Sequence, residues 1–264
     1  MNFLYDGTFE GYLTCVYEHY YKEKADDISS VDEFQESILV QSETVETDSQ
    51  KSDRVYNAIV SKISSYDLMR IYKTLGSIVS DREMKCLRYL ELGFKIGSKI
   101  QLLHGNPIVF DVEEADKKVA REIHRLHGLI RFSVVKPAGS LRPEEQQQEI
   151  LYTKIEPDND IVEFLVHHFK DRYRNNPFII HDEKRGKAVV YGAGKWYVTD
   201  FSDTSILEYT DNENEYQRLW KMYFDTMAIK ERINPRCQKN FMPVRYWKNL
   251  TEIDSGNSLN KAIR

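Results

Sequence analysis

Cysteine is scarce in this chain, and long apolar runs are missing. The three cysteines, Cys15, Cys86 and Cys237, are odd in number and widely spaced, so they outline neither a disulfide framework nor a Cys-x-x-Cys metal knuckle. A reducing compartment fits best. No apolar stretch approaches the roughly 18 to 20 residues of a membrane span, and the N-terminus lacks the basic start and small-residue cleavage site of a secretory signal. A cytoplasmic protein with no membrane contact is the expectation. Signatures of familiar chemistry are also missing. There is no Gly-x-Ser-x-Gly elbow, no His-Glu-x-x-His and no Cys/His deaminase pattern. Tyr191-Gly192-Ala193-Gly194-Lys195 lacks the Gly-x-x-x-x-Gly-Lys-Ser/Thr order of a phosphate loop and reads as a hairpin turn. No internal repeat is present, and no cofactor or metal site is expected.

What is there belongs to a folded protein. Of 264 residues, 41% are hydrophobic and 12% aromatic, enough apolar surface to offset chain entropy, and 17 of them are tyrosines. The net charge of −5 argues against a protein coated with bases for DNA, but it is unevenly spread. Ala25 to Gln50 holds eight acids and no Lys or Arg, whereas Glu231 to Leu250 holds five bases, Arg232, Arg236, Lys239, Arg245 and Lys248, against one acid.

Periodicity gives an α+β fold, with a helical N-terminal half carrying a short strand or two, and an antiparallel sheet plus helices in the C-terminal half. Met1 to Tyr5 reads as a strand closed by Asp6-Gly7, and residues 8 to 21 as an amphipathic helix. An extended segment in 37–48 leads to a second helix at 53–64, and 65–104 is a helical block. Glu113 to His127 is helical. Leu129 to Lys136 and Ile150 to Glu156 are short strands able to pair across the loop 137–149, and Asp160 to Arg174 is a helix. Phe178–Asp182, Ala188–Tyr191 and Trp196–Phe201 form an antiparallel meander, and Glu213 to Ile233 a helix with a broad aromatic stripe, ended by Asn234-Pro235. The expected organisation is one domain over 1–254 with two lobes, 1–107 and 108–254, and a flexible Ser-, Asn- and Gly-rich tail at 255–264.

Four groups are candidates for chemistry. His124 and His127 lie on one side of a helix at a spacing that suits a metal, but no third ligand is near in sequence and a structural role is the stronger reading; the His167-His168 pair is weaker still. His181-Asp182 followed by Lys184-Arg185 could orient a base or bind phosphate, against the simpler reading of a charged β-turn. The C-terminal run from Asn234 to Leu250 interleaves Arg236, Lys239, Arg245 and Lys248 with Phe241, Tyr246 and Trp247. Bases beside aromatics hold a phosphate backbone and stack its bases, and a packed strap with bases snorkelling outward fits equally well.

Three blocks together carry a resemblance: Tyr5-Asp6-Gly7-Thr8-Phe9-Glu10-Gly11, Ile180-His181-Asp182-x-Lys184-Arg185, and Met242-Pro243-Val244-Arg245-Tyr246-Trp247-Lys248-Asn249-Leu250-Thr251-Glu252. In this order they resemble the bacterial "probable DNA metabolism protein" family, a domain of unknown function, over nearly the whole chain. Members are typically paired with a radical S-adenosylmethionine protein of DNA modification or repair, and some continue into a uracil-DNA-glycosylase-like domain. The present sequence contains no such region and no Cys-x-x-x-Cys-x-x-Cys, so neither glycosylase activity nor the radical cluster is expected of it.

The resemblance implies a nucleic-acid-binding or accessory partner of a radical S-adenosylmethionine enzyme, with DNA as ligand. The candidate DNA contacts are Lys184, Arg185, Arg236, Lys239, Arg245, Tyr246, Trp247 and Lys248. The alternative is an enzyme that processes a nucleotide or nucleic acid through Asp6, His181 and Asp182. Sequence separation neither forbids nor requires that these three meet, so the sequence leaves catalysis open.

Overall fold

The structure, a computed structural model, describes residues 1–34, 41–138, 149–210, 212–227, 229, 232 and 234–253. The expected tail at 255–264 and part of the loop 137–149 lie outside these. The chain divides into two compact units, Met1–Ala120 and Arg121–Arg264. The division falls inside one helix rather than at the expected 107/108 boundary. Val109 and Val112 at the start of that helix belong to the first unit's core, while Glu122 further along bonds to the loop at Asp158 and Asn159 of the second.

In the first unit, β1 (Asn2–Tyr5) lies between β2 (Asp27–Ser30) and β3 (Ser42–Thr44) in a parallel sheet of order β2-β1-β3. β2 comes from the acidic stretch Ala25 to Gln50; its Ile28 and Ser30 point inward and are buried. The helices are α1 (Phe9–Tyr21), α2 (Ser49–Lys62), α3 (Ser65–Leu75), α4 (Arg82–Ile96) and the first half of α5 (Pro107–Leu129). Local chemistry starts them. The side chains of Thr8, Asp48 and Ser64 accept hydrogen bonds from the first free amides of α1, α2 and α3. Phe3, Tyr12, Leu13, Ile59, Ile71, Leu87 and Leu90 fill the core. One charge is buried among partners. The Arg70 guanidinium donates to the Tyr89 hydroxyl at 3.0 Å and lies 3.4 Å from Glu113, and Tyr89 in turn donates to Asp67 at 2.6 Å.

The second unit is built on a six-stranded sheet of order β8-β7-β6-β5-β4-β9. Its strands are β4 (Ser133–Pro137), β5 (Ile150–Ile155), β6 (Phe178–Asp182), β7 (Lys187–Gly192), β8 (Lys195–Asp200) and β9 (Leu207–Tyr209). β4 pairs with β5 across the expected irregular hairpin, and β6, β7 and β8 form the expected meander. Ala193 and Gly194 both take positive φ, as a tight two-residue hairpin demands, so this glycine-containing segment is a turn. β5 and β6 are the one parallel pair, because α6 (Val162–Arg172) carries the chain over the sheet between them. α7 (Glu213–Met227) follows, then α8 (Pro235–Phe241) and two 3-10 turns, Val244–Asn249 and Thr251–Ile253. α7 is described to Met227 rather than to Ile233. Asn234-Pro235 opens a new helix as well, with Asn234 capping the Cys237 amide at 3.0 Å.

Candidate nucleic-acid interface

The residues singled out by sequence fall into three places. The first is Asp6, in the first unit, at the carboxyl end of the central strand. One oxygen accepts from the Thr8 amide at 2.9 Å and the Thr8 hydroxyl at 2.6 Å, and the other from the Thr47 hydroxyl at 2.8 Å. Partial burial opposes its charge, but these donors hold the carboxyl below its usual value. A Cβ on Gly11 would stand 2.3 Å from this carboxylate, which is why the helix opens on glycine here. Asp6 therefore fastens β1 to α1 and to the segment after β3.

The second place is a polar knot in the second unit. Glu122 on α5 is 2% exposed. One of its oxygens accepts from the Asp158 amide at 2.9 Å and from the Tyr246 hydroxyl, the other from the Asn159 amide at 2.9 Å and side chain at 2.5 Å. Burial works against the charge, yet these donors, Tyr246 first, hold the Glu122 carboxyl below its ordinary value. Arg245 bridges Asp158 at 2.8 Å and lies over the Tyr246 ring. Asp182 is fully buried at the β6–β7 turn; it takes the Arg185 guanidinium at 2.8 Å, and Arg185 donates onward to the Asp158 carbonyl at 2.5 Å. Burial raises the Asp182 carboxyl against the pull of Arg185.

This knot reassigns several residues. Tyr246 is 3% exposed, so no ring face is left to stack a base. Arg185 and Arg245 are held by the protein's own oxygens, and Trp247 donates its indole N–H to the Met242 carbonyl at 2.8 Å. Lys184, Arg236 and Lys239 stay exposed. His181 is buried on β6, its Nδ1 2.9 Å from the Tyr152 hydroxyl and its ring also in a backbone hydrogen bond with Phe201; burial lowers its proton affinity. Asp6 thus belongs to one unit and His181 with Asp182 to the other. His127 stacks on His168 with centroids 4.3 Å apart, and burial pushes its pKa down to about 4. No cluster able to hold a metal occurs among the described residues.

The third place is a cleft that sequence reasoning missed. It measures about 170 Å³ and brings together Arg131 after α5, Ser133 on β4, Tyr152 and Lys154 on β5, Tyr209 on β9, Gln217 and Lys221 on α7, and Lys248 in the 3-10 turn. Of the candidate DNA contacts, Lys248 alone lines it, together with Asn249, Leu250 and Thr251 of the same closing block. Tyr152 and Lys154 share a sheet face because strand side chains alternate, and α7 adds Gln217 and Lys221 one turn apart. The cations have acidic neighbours. Arg131 lies 2.7 Å from Glu252, Lys154 3.3 Å from Glu183, and Lys248 pairs with Glu156. The two lysine pairs are half exposed, a setting in which an ion pair contributes only about 0–1 kcal/mol and yields to a competing anion. The arrangement offers ammonium donors beside one exposed tyrosine ring, Tyr209, the chemistry of phosphate and base recognition, while Tyr152 is buried and bonded to His181. A local signal existed only for β5, where alternation put Lys154 beside Tyr152.

No curated protein and no solved structure matches the chain. A family model does match, over residues 80–252, from just before α4 to the last 3-10 turn, and so includes every cleft residue. The chain belongs to the family described as a domain of unknown function, DUF4130.

Proposed function

We propose that this chain is a nucleic-acid-binding accessory protein of DNA metabolism, acting beside a radical S-adenosylmethionine enzyme as its resemblance implies. The observation that carries the reading is the cleft of the second unit, where Lys154, Lys221 and Lys248 gather about the exposed Tyr209, with Arg131 held in its wall by Glu252. Lysines drawn from β5, α7 and the C-terminal turn converge there although the chain as a whole is acidic, and the half-exposed Lys154 and Lys248 can exchange their carboxylate partners for phosphates. The C-terminal block contributes through Lys248, while Arg245 and Tyr246 hold that block in place through Glu122.

Fluorescence anisotropy with labelled DNA, titrated with salt, tests the reading. Wild-type protein should bind with a salt slope of about −2 if some three phosphates are neutralised on a flexible strand. Lys154→Ala with Lys221→Ala should weaken binding and flatten that slope by about one unit. Arg236→Ala with Lys239→Ala, on α8, should have no such effect. Wild-type protein that binds no DNA at low salt, with or without its partner enzyme, would overturn the proposal.

A further inference from the structure

α7 is an amphipathic helix whose apolar stripe faces outward. Tyr216, Trp220, Tyr223 and Met227 recur at steps of three and four residues and so lie along one side of the helix. They are 60%, 41%, 56% and 61% exposed. A stripe of this width on a helix ordinarily seeks a partner. Its position supplies the partner's chemistry. Gln217 and Lys221, each one residue on from Tyr216 and Trp220, lie on the adjoining side of the helix and form a wall of the cleft. The Arg131 guanidinium lines the cleft and also stands 5.9 Å from the Trp220 ring, and the Trp220 indole stacks beside Tyr223 at 5.8 Å and 28°. Cleft cation, Trp220 and Tyr223 are therefore continuous, and Tyr209, 55% exposed, stands on the sheet side of the same cleft.

From this juxtaposition we infer that the ligand is a single-stranded nucleic acid, its phosphates against Lys154, Lys221 and Lys248 and its unpaired bases against Tyr209 and the Tyr216–Tyr223 stripe. The inference rests on the nucleic-acid reading above and narrows it. Aromatic platforms beside a cationic groove reward a strand whose base faces are free; in a duplex those faces are already stacked on one another, and only the phosphates remain for the protein. Three of the four stripe residues are aromatic and the adjoining cleft is lined by lysines, with Glu252 neutralising Arg131 beside Trp220, which suits a polyanion with flat rings better than an aliphatic protein helix.

The test uses the full chain and three labelled probes: a mixed-sequence single strand, its duplex, and a strand of the same length with abasic sites throughout. The variants are Tyr216→Ala with Tyr223→Ala, the same two positions as Phe, Tyr197→Ala on β8 as an exposed control at the opposite end of the sheet, and Lys154→Ala with Lys221→Ala. Wild type should prefer the single strand to the duplex by at least about tenfold. The double alanine variant should lose roughly 5- to 100-fold on the single strand and nothing on the abasic strand, as removal of stacked bases predicts. The phenylalanine variant should keep wild-type affinity, and Tyr197→Ala should match it. Equal or tighter binding of the duplex, or an unchanged double alanine variant, would overturn the inference while the lysine variant still upheld nucleic-acid binding. Failure to bind any probe would sink both. Sedimentation run alongside adds one further refuting result: a wild-type dimer that the alanine variant dissolves, with strand binding intact, would assign the stripe to a second copy of the chain.

Discussion

Replacing Tyr246 by Phe separates a structural role of the C-terminal block from a role in binding. The hydroxyl donates to Glu122 and accepts from the Arg245 guanidinium at 2.9 Å, and the ring itself is buried, so the substitution keeps the packing and removes only these bonds. Glu122 retains three donors, the Asp158 and Asn159 amides and the Asn159 side chain, which keeps its carboxylate from being stranded. Arg245 keeps its Asp158 partner, so the main loss is the hydrogen bond to the buried Glu122 charge, about 1.5–3 kcal/mol. In a unit of this size each kcal/mol moves the melting midpoint by about 2–4 °C, so a fall of roughly 3–12 °C is expected. Circular dichroism melts, with urea midpoints at constant slope as a check, measure it. The same variant, assayed well below its midpoint, should bind DNA as wild type does. A midpoint within about 1 °C of wild type would refute the network, since even the smallest loss above exceeds it. Weakened binding by a fully folded variant would return Tyr246 to the interface.

Three further outcomes follow from other contacts. Gly11→Ala places a methyl 2.3 Å from Asp6 Oδ1 and 2.9 Å from Thr47 Oγ1 and should cost about 1–3 kcal/mol in urea titrations. Gly128→Ala, late in α5 and with open space around its would-be Cβ, should instead stabilise by up to about 1 kcal/mol. Burial opposes the charge of Glu122 and of Glu252, yet donors from Tyr246 and Asn159, and from Arg131 and Trp220, hold both folded values below the usual 4.5. A depressed acid lends stability that is complete above the unfolded value and is lost as pH falls through the folded one, so urea midpoints should drop from about pH 5 towards 3. Glu122→Gln should be less stable than wild type at about pH 6 and converge on it as the pH falls through the lowered folded value of Glu122; parallel curves would contradict the assignment.

Much of the fold was legible because it is locally encoded. The Asp6-Gly7 stop and the meander from Phe178 to Asp200 follow from a few neighbouring residues, whereas the caps Asp48 and Ser64 went unread, and the helix expected at 53–64 runs from Ser49 to Lys62. The rest of what escaped was non-local. β2 hides in an acidic stretch because only Ile28 and Ser30 point inward, and its pairing partner β1 lies over twenty residues upstream. The parallel pairing of β5 with β6 depends on α6 packing back over the sheet rather than on either strand's own pattern. The stripe of α7 reads as core by periodicity alone, since periodicity reports that a face is apolar but not what covers it.

The site was harder for the same reason, sharpened by charge. The basic C-terminal run looked like a phosphate track because its acids are elsewhere in sequence: Glu122 lies 124 residues before Tyr246, and Glu156 and Asp158 come from the loop after β5. Folding brings them back, burying Tyr246 and pairing the still-exposed Arg245 with Asp158, and leaves Lys248 at the edge of a cleft whose other cations were single residues in unremarkable strands and helices. A count of local charge thus overstates a surface wherever the neutralising groups are distant in the chain, and understates one assembled a residue at a time. Arg131 illustrates the second case. It stands alone between α5 and β4, yet its guanidinium joins the cleft, the Glu252 carboxylate and the Trp220 ring, and so ties the phosphate-binding side of the proposed interface to the side that would carry the bases.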